Sequence, residues 1–292
     1  MTKMIRSLAE VAAGYDAVFC DLWGCLHNGK APFPAAVAAL RAFRAGGGRV
    51  VLMTNAPRPF SAVERQLNAM GVPQDAWDLI VSSGDAAQTA MLQGAVGRKV
   101  FHIGAVKDEP FFSEFPGDMA TLAASQPAIE RVGMLDAEGI VCTGLADDET
   151  ETPADYRAQL LMGKTRGLPM LCANPDIVVD MGEKRAYCAG ALAEDYANMG
   201  GEVLYYGKPH PPIYDLARRR MGLDDPRILC IGDGIATDVQ GGIAEGLDTL
   251  FITGGIAADR FGPDPANPDP ALLEEWLAVQ RLSPTWAMPY LA

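Results

Sequence analysis

The chain predicts an α/β fold: a parallel-sheet core with a second α/β domain inserted into it. Three observations carry this. Short apolar runs alternate with stretches of helical periodicity, the order that builds parallel sheets through right-handed crossovers. Four segments, at Ala17–Cys20, Val50–Met53, Leu204–Tyr206 and Ile228–Ile231, deliver charged or hydroxyl residues at or just beyond their carboxyl ends. Between the second and third lies a block of well over a hundred residues with its own strands and helices.

The elements follow in order. Ala17–Cys20 reads as a buried strand ending at Asp21. Phe33-Pro34 opens a helix with Val37, Leu40 and Phe43 on one stripe; proline suits its first turn, and Gly46-Gly47-Gly48 stops it. Val50–Met53 ends in Thr54-Asn55. The next helix should start with a capping box at Ser61-Ala62-Val63-Glu64, carry Val63, Leu67 and Met70, and close at Gly71. Leu79–Val81 is a short third strand.

The inserted block then shows strands at Lys99–Ile103, Ile140–Thr143 and Pro169–Ala173. Helices are expected after Thr152-Pro153, with Tyr156, Leu160 and Leu161, and over Ala186–Met199. The parent sheet should resume near Val203, and Leu250–Ile252 should be its last strand. Gly262–Pro270, rich in Pro, Asp and Asn, reads as a loop. The domains predicted are therefore 1–83 with 204–292 for the core and 84–203 for the insertion.

Composition sets limits. Apolar residues make up 49% of the 292 and charged residues 21%, the balance of an ordinary globular protein. The formal charge of −13 argues against a nucleic-acid partner, whose phosphates demand net positive charge. It also means that an anionic substrate must meet a locally positive pocket. No stretch approaches the roughly 20 apolar residues needed to span a bilayer, and Met1–Glu10 lacks the pattern of a signal peptide. The six cysteines form no CxxC pair; most lie in apolar runs, which reads as reduced, buried packing thiols and a cytoplasmic protein.

Ligands of open α/β sheets bind beyond the carboxyl ends of the strands. Asp21, Thr54-Asn55, Lys208 and Asp233, with Asp238 five residues on, are expected to gather there as a site for Mg²⁺ and phosphate. A carboxylate so placed can attack phosphorus and form an aspartyl-phosphate. Catalysis of phosphoryl transfer is mainly positioning and electrostatics. Asp21 is the candidate nucleophile, the Thr54 hydroxyl and Asn55 backbone N–H the phosphate donors, and Lys208 a fixed positive charge. Magnesium prefers six oxygen ligands; Asp21, Asp233, Asp238 and one backbone carbonyl are candidates. Arg58, Lys184 and Arg185 are candidate holders of a substrate anion, although charged loops are commonly just solvated. Asn174-Pro175-Asp176 reads either as a structural turn or as a substrate contact.

These motifs, in this order, resemble the haloacid dehalogenase superfamily of aspartate-nucleophile hydrolases. The long gap between the second and third is similar to the class IIA cap arrangement, the branch holding pyridoxal-phosphate, p-nitrophenyl and nucleotide phosphatases. Thr54-Asn55 with Arg58, Asn174-Pro175-Asp176, Gly207-Lys208-Pro209 and Pro284-Thr285-Trp286 add to the resemblance. It implies a Rossmann-like core, a Mg²⁺ cofactor, a small phosphorylated metabolite as substrate, and pairing of two copies through the cap as an open alternative. It also implies that residue 23 offers its backbone carbonyl to the metal. One position departs from the pattern: the family's phosphatases usually carry an aspartate there as general acid, and here it is Trp23. Indole cannot supply that proton. His27 and His210 are candidate surrogates; otherwise the substrate must have a leaving group that needs no proton. A non-catalytic phosphometabolite sensor is the alternative on the same scaffold, and another carbon–heteroatom cleavage by the same nucleophile is a third class.

Overall fold

A computed structural model describes residues 2–181 and 184–292. The chain divides into two compact units, one of Met1–Thr54, Arg65–Val81 and Tyr214–Ala292, the other of Asn55–Glu64 and Ser82–Ile213. Among the described residues no helix is long and apolar enough to cross a membrane.

The first unit is built on a seven-stranded sheet. Its spatial order is Lys3–Met4, Trp286–Met288, Asp248–Ile252, Ile228–Gly232, Ala17–Cys20, Arg49–Thr54, Leu79–Ser82. The central strands Ala17–Cys20 and Ile228–Gly232 are buried at every position. Burial on both faces is why they read as unbroken apolar runs rather than as alternating patterns. Their pairing is parallel, with Cys20 beside Ile231 on one side and Leu52 on the other. That register carries the ends of three strands to one edge. The predicted last strand is not last: Trp286–Met288 pairs in parallel with Asp248–Ile252, and Lys3–Met4 adds beyond it. These are strands of three and two residues, too short to show periodicity.

The helix Pro34–Ala45 starts at the expected proline and buries Ala36, Val37, Leu40 and Phe43. Its carboxyl end is tied down by charge. Arg44 donates to both oxygens of Asp78, at 3.0 and 2.7 Å, and Asp78 also accepts the Val50 N–H at 2.8 Å. Helix Pro270–Gln280 buries Leu273 and Leu277, and its Trp276 stacks on Phe251 at 5.8 Å.

The second unit carries a five-stranded parallel sheet in the order Val203–Tyr205, Met170–Cys172, Gly139–Cys142, Lys99–Ile103, Glu130–Arg131. Val203–Tyr205 is thus a correction. Instead of returning to the parent sheet, it pairs in parallel with Met170–Cys172. Val203 and Tyr205 pack against the apolar cluster around Tyr196 and Leu160, while Leu204 and Tyr206 pack against the opposite cluster around Phe111 and Met91. This edge offers apolar cover on both faces, so the segment leading to Lys208 belongs to this sheet and not to the core.

Two smaller expectations also change. Residues 184–187 form a strand antiparallel to Val178–Met181, so the helix expected from Ala186 begins at Ala189. The helix expected to be capped by Ser61 starts at Phe60. The Phe60 N–H goes to Asp85 Oδ1 at 2.9 Å, and the Ser61 hydroxyl donates to Glu114 instead of capping.

Candidate active site

In the first unit, the sheet's carboxyl edge presents Asp21, Thr54, Asp233 and Asp238, all buried to nine-tenths or more. Asp21 follows its strand directly, and its N–H donates to Ile231 C=O at 2.8 Å, extending the ladder one residue. Asp233 stands just past the neighbouring strand. Its Oδ2 accepts the Ile256 N–H at 2.8 Å, which orients the carboxylate. Gly24 makes room for it: its φ is +72°, and a Cβ there would lie 2.0 Å from that same oxygen.

Oxygens of Asp21 and Asp233 and the sulfur of Cys25 all lie within 4.8 Å of one another. Two carboxylates this close repel unless a cation or a proton lies between them. Hard oxygen donors suit Mg²⁺, so the residues present fit the ion that the family resemblance implies. Cys25 is the residue that the sequence reading missed, since it looked like packing. Burial, with the charges of Asp233 and Asp21, pushes its thiol well above the usual range. Asp238 sits in a single π-turn, Ile235–Val239, where Oδ2 accepts the Gly234 N–H at 3.1 Å.

Trp23 and His27 belong to a tight loop. Leu22 C=O accepts the N–H groups of both Leu26 and His27, at 2.8 and 3.0 Å, and the Gly24 N–H donates to His27 C=O at 3.0 Å. The indole meets the His27 ring edge-on at 5.3 Å and lies against Gly29. The ring therefore fills its own loop. His27 is 1% exposed, and its Nδ1 accepts the Gly29 N–H at 3.0 Å. Burial lowers its pKa to about 4. At neutral pH the ring is uncharged, and it braces the turn.

The second unit holds further predicted residues. Asn55 and Lys208 are each 3% exposed. The Asn55 carboxamide spans the Lys208 backbone: Oδ1 accepts its N–H at 2.7 Å, and Nδ2 donates to its C=O at 3.0 Å. Nδ2 also donates to Asp176 Oδ1 at 2.8 Å. Asp176 is held in turn, because its N–H donates to Asn174 Oδ1 at 3.0 Å. Asn174-Pro175-Asp176 thus forms a turn that reaches the lysine through Asn55. No local pattern in the sequence reveals this, because the partners lie 121 and 153 residues apart.

The remaining candidates also lie in the second unit. His210 stacks on Tyr205 at 4.7 Å, and burial lowers its pKa. The Arg58 carbonyl accepts the Ser82 hydroxyl at 2.6 Å, and its side chain is half-buried. Arg185 is exposed on the strand antiparallel to Val178–Met181. The side chain of Lys184 lies outside the described residues. His102 donates to or accepts from Thr143 Oγ1 at 2.9 Å, and burial takes it to about 4.

The comparisons fit this architecture. A family model described as haloacid dehalogenase-like hydrolase matches residues 18–115, and a second of HAD-hydrolase-like description matches 205–274. A crystal structure of a haloacid dehalogenase-like hydrolase from Brucella suis 1330 is 39% identical, with TM-score 0.83, over 99% of this chain and 100% of that one. The chain belongs to the haloacid dehalogenase-like hydrolase family. The ribonucleotide monophosphatase NagD of Escherichia coli K12 is 24% identical over 246 residues, 82% of this chain and 88% of NagD. A dihydroxyacetone phosphatase of Corynebacterium glutamicum is 32% identical over 101 residues, 34% of this chain. That match spans about a third of the relative's length, at 36%.

Proposed function

We propose that this protein is a Mg²⁺-dependent phosphohydrolase of a small phosphorylated metabolite, working through a phospho-Asp21 intermediate. The observation that carries the reading is the pair of buried carboxylates, Asp21 and Asp233, side by side at the carboxyl edge of a parallel sheet. Asp21 attacks phosphorus; the new O–P bond forms as the bond to the leaving oxygen breaks. Water then opens the acyl phosphate, which regenerates the carboxylate and releases orthophosphate. Asp21, Asp233, Asp238 and the Trp23 carbonyl would hold Mg²⁺. Bound Mg²⁺ supplies neutralisation of charge on the phosphoryl oxygens. Thr54 donates its hydroxyl to the phosphoryl group. Lys208 supplies a fixed positive charge, a role supported by its place in the order of family motifs. The small-molecule substrate class is supported by relatives named ribonucleotide monophosphatase and dihydroxyacetone phosphatase.

The Trp23 loop refines the substrate. With an indole at residue 23 and His27 uncharged at neutral pH, neither side chain protonates a leaving alkoxide. General acid catalysis contributes about 10²- to 10⁴-fold, so acyl and aryl phosphates are favoured over alkyl esters. The six cysteines, all buried thiols, support a reducing, cytoplasmic setting. A series of phenyl phosphates of graded leaving-group acidity, assayed with Mg²⁺ and repeated with Asp21→Asn, tests the proposal. A steep dependence that disappears with the Asp21 variant supports it. Ligand binding without turnover points to a sensor, and a flat dependence to an unrecognised acid.

A further inference from the structure

We infer that Asn55 is a positioning residue for Lys208, acting through its side chain and not only through its backbone. The inference rests on the proposed role of Lys208. Asn55 closes a ring with Lys208: its carboxamide oxygen takes the lysine N–H and its amide nitrogen serves the lysine C=O, at 2.7 and 3.0 Å. This is the two-bond pattern of a strand pair, made by a side chain. It fixes the peptide groups on both sides of the Lys208 Cα and so sets the direction in which the side chain leaves the backbone. The clamp is itself clamped, because the second Nδ2 hydrogen goes to Asp176 Oδ1 at 2.8 Å. All of the donor capacity of the carboxamide is therefore used.

Packing around the clamp points the same way. Gly207 lies so close that a Cβ there would be 2.5 Å from Asn55 Oδ1 and 2.7 Å from Ser83 Oγ. Ser83 Oγ is buried there, with no hydrogen-bond partner among the described residues. An ammonium that stabilises transition-state charge must be aimed in advance, and a displacement of about 1 Å can reduce rate on the order of 10²-fold.

The test is a double-mutant cycle on the full chain: wild type, Asn55→Ala, Lys208→Ala and the pair, with Mg²⁺ and p-nitrophenyl phosphate. Alanine keeps the backbone N–H at residue 55, so a purely backbone role predicts no loss. Asn55→Ala should lower kcat about 10- to 100-fold with KM little changed, and should add less than about threefold once Lys208 is gone. Asp176→Ala should lose part of kcat. Additive losses on the Lys208→Ala background, or wild-type kcat in Asn55→Ala, overturn the inference. Hydrogen exchange at the Lys208 amide reads the clamp without activity. It should be slow in the wild type and fast in both Asn55→Ala and Asp176→Ala. Fast exchange in the wild type overturns the inference even if the enzyme is active, and slow exchange in a protein without turnover isolates the failure in the phosphatase reading.

Discussion

Gly24→Ala is a small change with a large expected effect. The added methyl would sit 2.0 Å from Asp233 Oδ2, far inside contact distance. The residue would also have to hold φ near +72°, which costs an alanine about 1–2 kcal/mol. Asp233 is short, so it can move aside only by giving up its 2.8 Å bond from the Ile256 N–H. A hydrogen bond to a charged acceptor contributes roughly 1.5–3 kcal/mol. The combined destabilisation is about 2.5–5 kcal/mol. It should appear as a loss of several degrees in Tm by scanning calorimetry. Because the displaced oxygen belongs to the proposed metal pair, Mg²⁺ affinity by titration calorimetry should fall as well. Serine at the same position should behave like alanine. A Gly24→Ala protein with wild-type Tm and wild-type Mg²⁺ affinity would refute the argument that this glycine exists to admit Asp233.

Other outcomes follow from the same geometry. His27 and His102 are both depressed to about 4 by burial. Each favours the fold fully above the unfolded value near 6.5, and that stability drains away as pH falls from about 6.5 towards 4, by roughly 2–3 kcal/mol per ring. Thermal melts across that range should show it, and His27→Gln should flatten part of the slope. For Asp78, burial alone would raise the carboxyl, but hydrogen bonds from Arg44 and Val50 and the charges of Arg44 and Arg49 outweigh it and hold it below the ordinary range. Its contribution is present above about pH 4 and is lost as pH falls further; Asp78→Ala should remove roughly 1–3 kcal/mol at neutral pH, measured by denaturant unfolding. Trp23→Asp removes the ring that packs on His27 and Gly29, so Tm should drop, while alkyl phosphate turnover should rise relative to aryl phosphate turnover. An unchanged ratio in that variant would mean that the acid position does not limit the reaction.

Much of the fold could be read locally. Ala17–Cys20, Val50–Met53 and Ile228–Ile231 lie at the centre of a parallel sheet, where both faces are covered, so each had to be a short unbroken apolar run. The same burial explains why Asp21, Thr54 and Asp233 stand out: each is the first polar residue after such a run, at the edge where the sheet stops and ligands can enter. Helix ends at Pro34 and Gly46 are likewise matters of one residue's backbone. Strand partnership is different, because a three-residue segment such as Val203–Tyr205 suits either sheet by composition. What decided it was which edge had apolar cover on both faces, supplied by residues such as Leu160, Tyr196, Met91 and Phe111.

The sequence by itself determined that strand ends would deliver carboxylates, a threonine, an asparagine and a lysine, since local burial and turn chemistry depend on neighbouring residues. Only the tertiary structure decided what the asparagine's side chain does, why residue 24 must be glycine, that Trp23 folds onto its own loop, and that Cys25 shares space with two aspartates. Each of these depends on atoms brought within a few ångströms from distant parts of the chain or by a loop's particular path. A one-dimensional pattern carries no record of such distances.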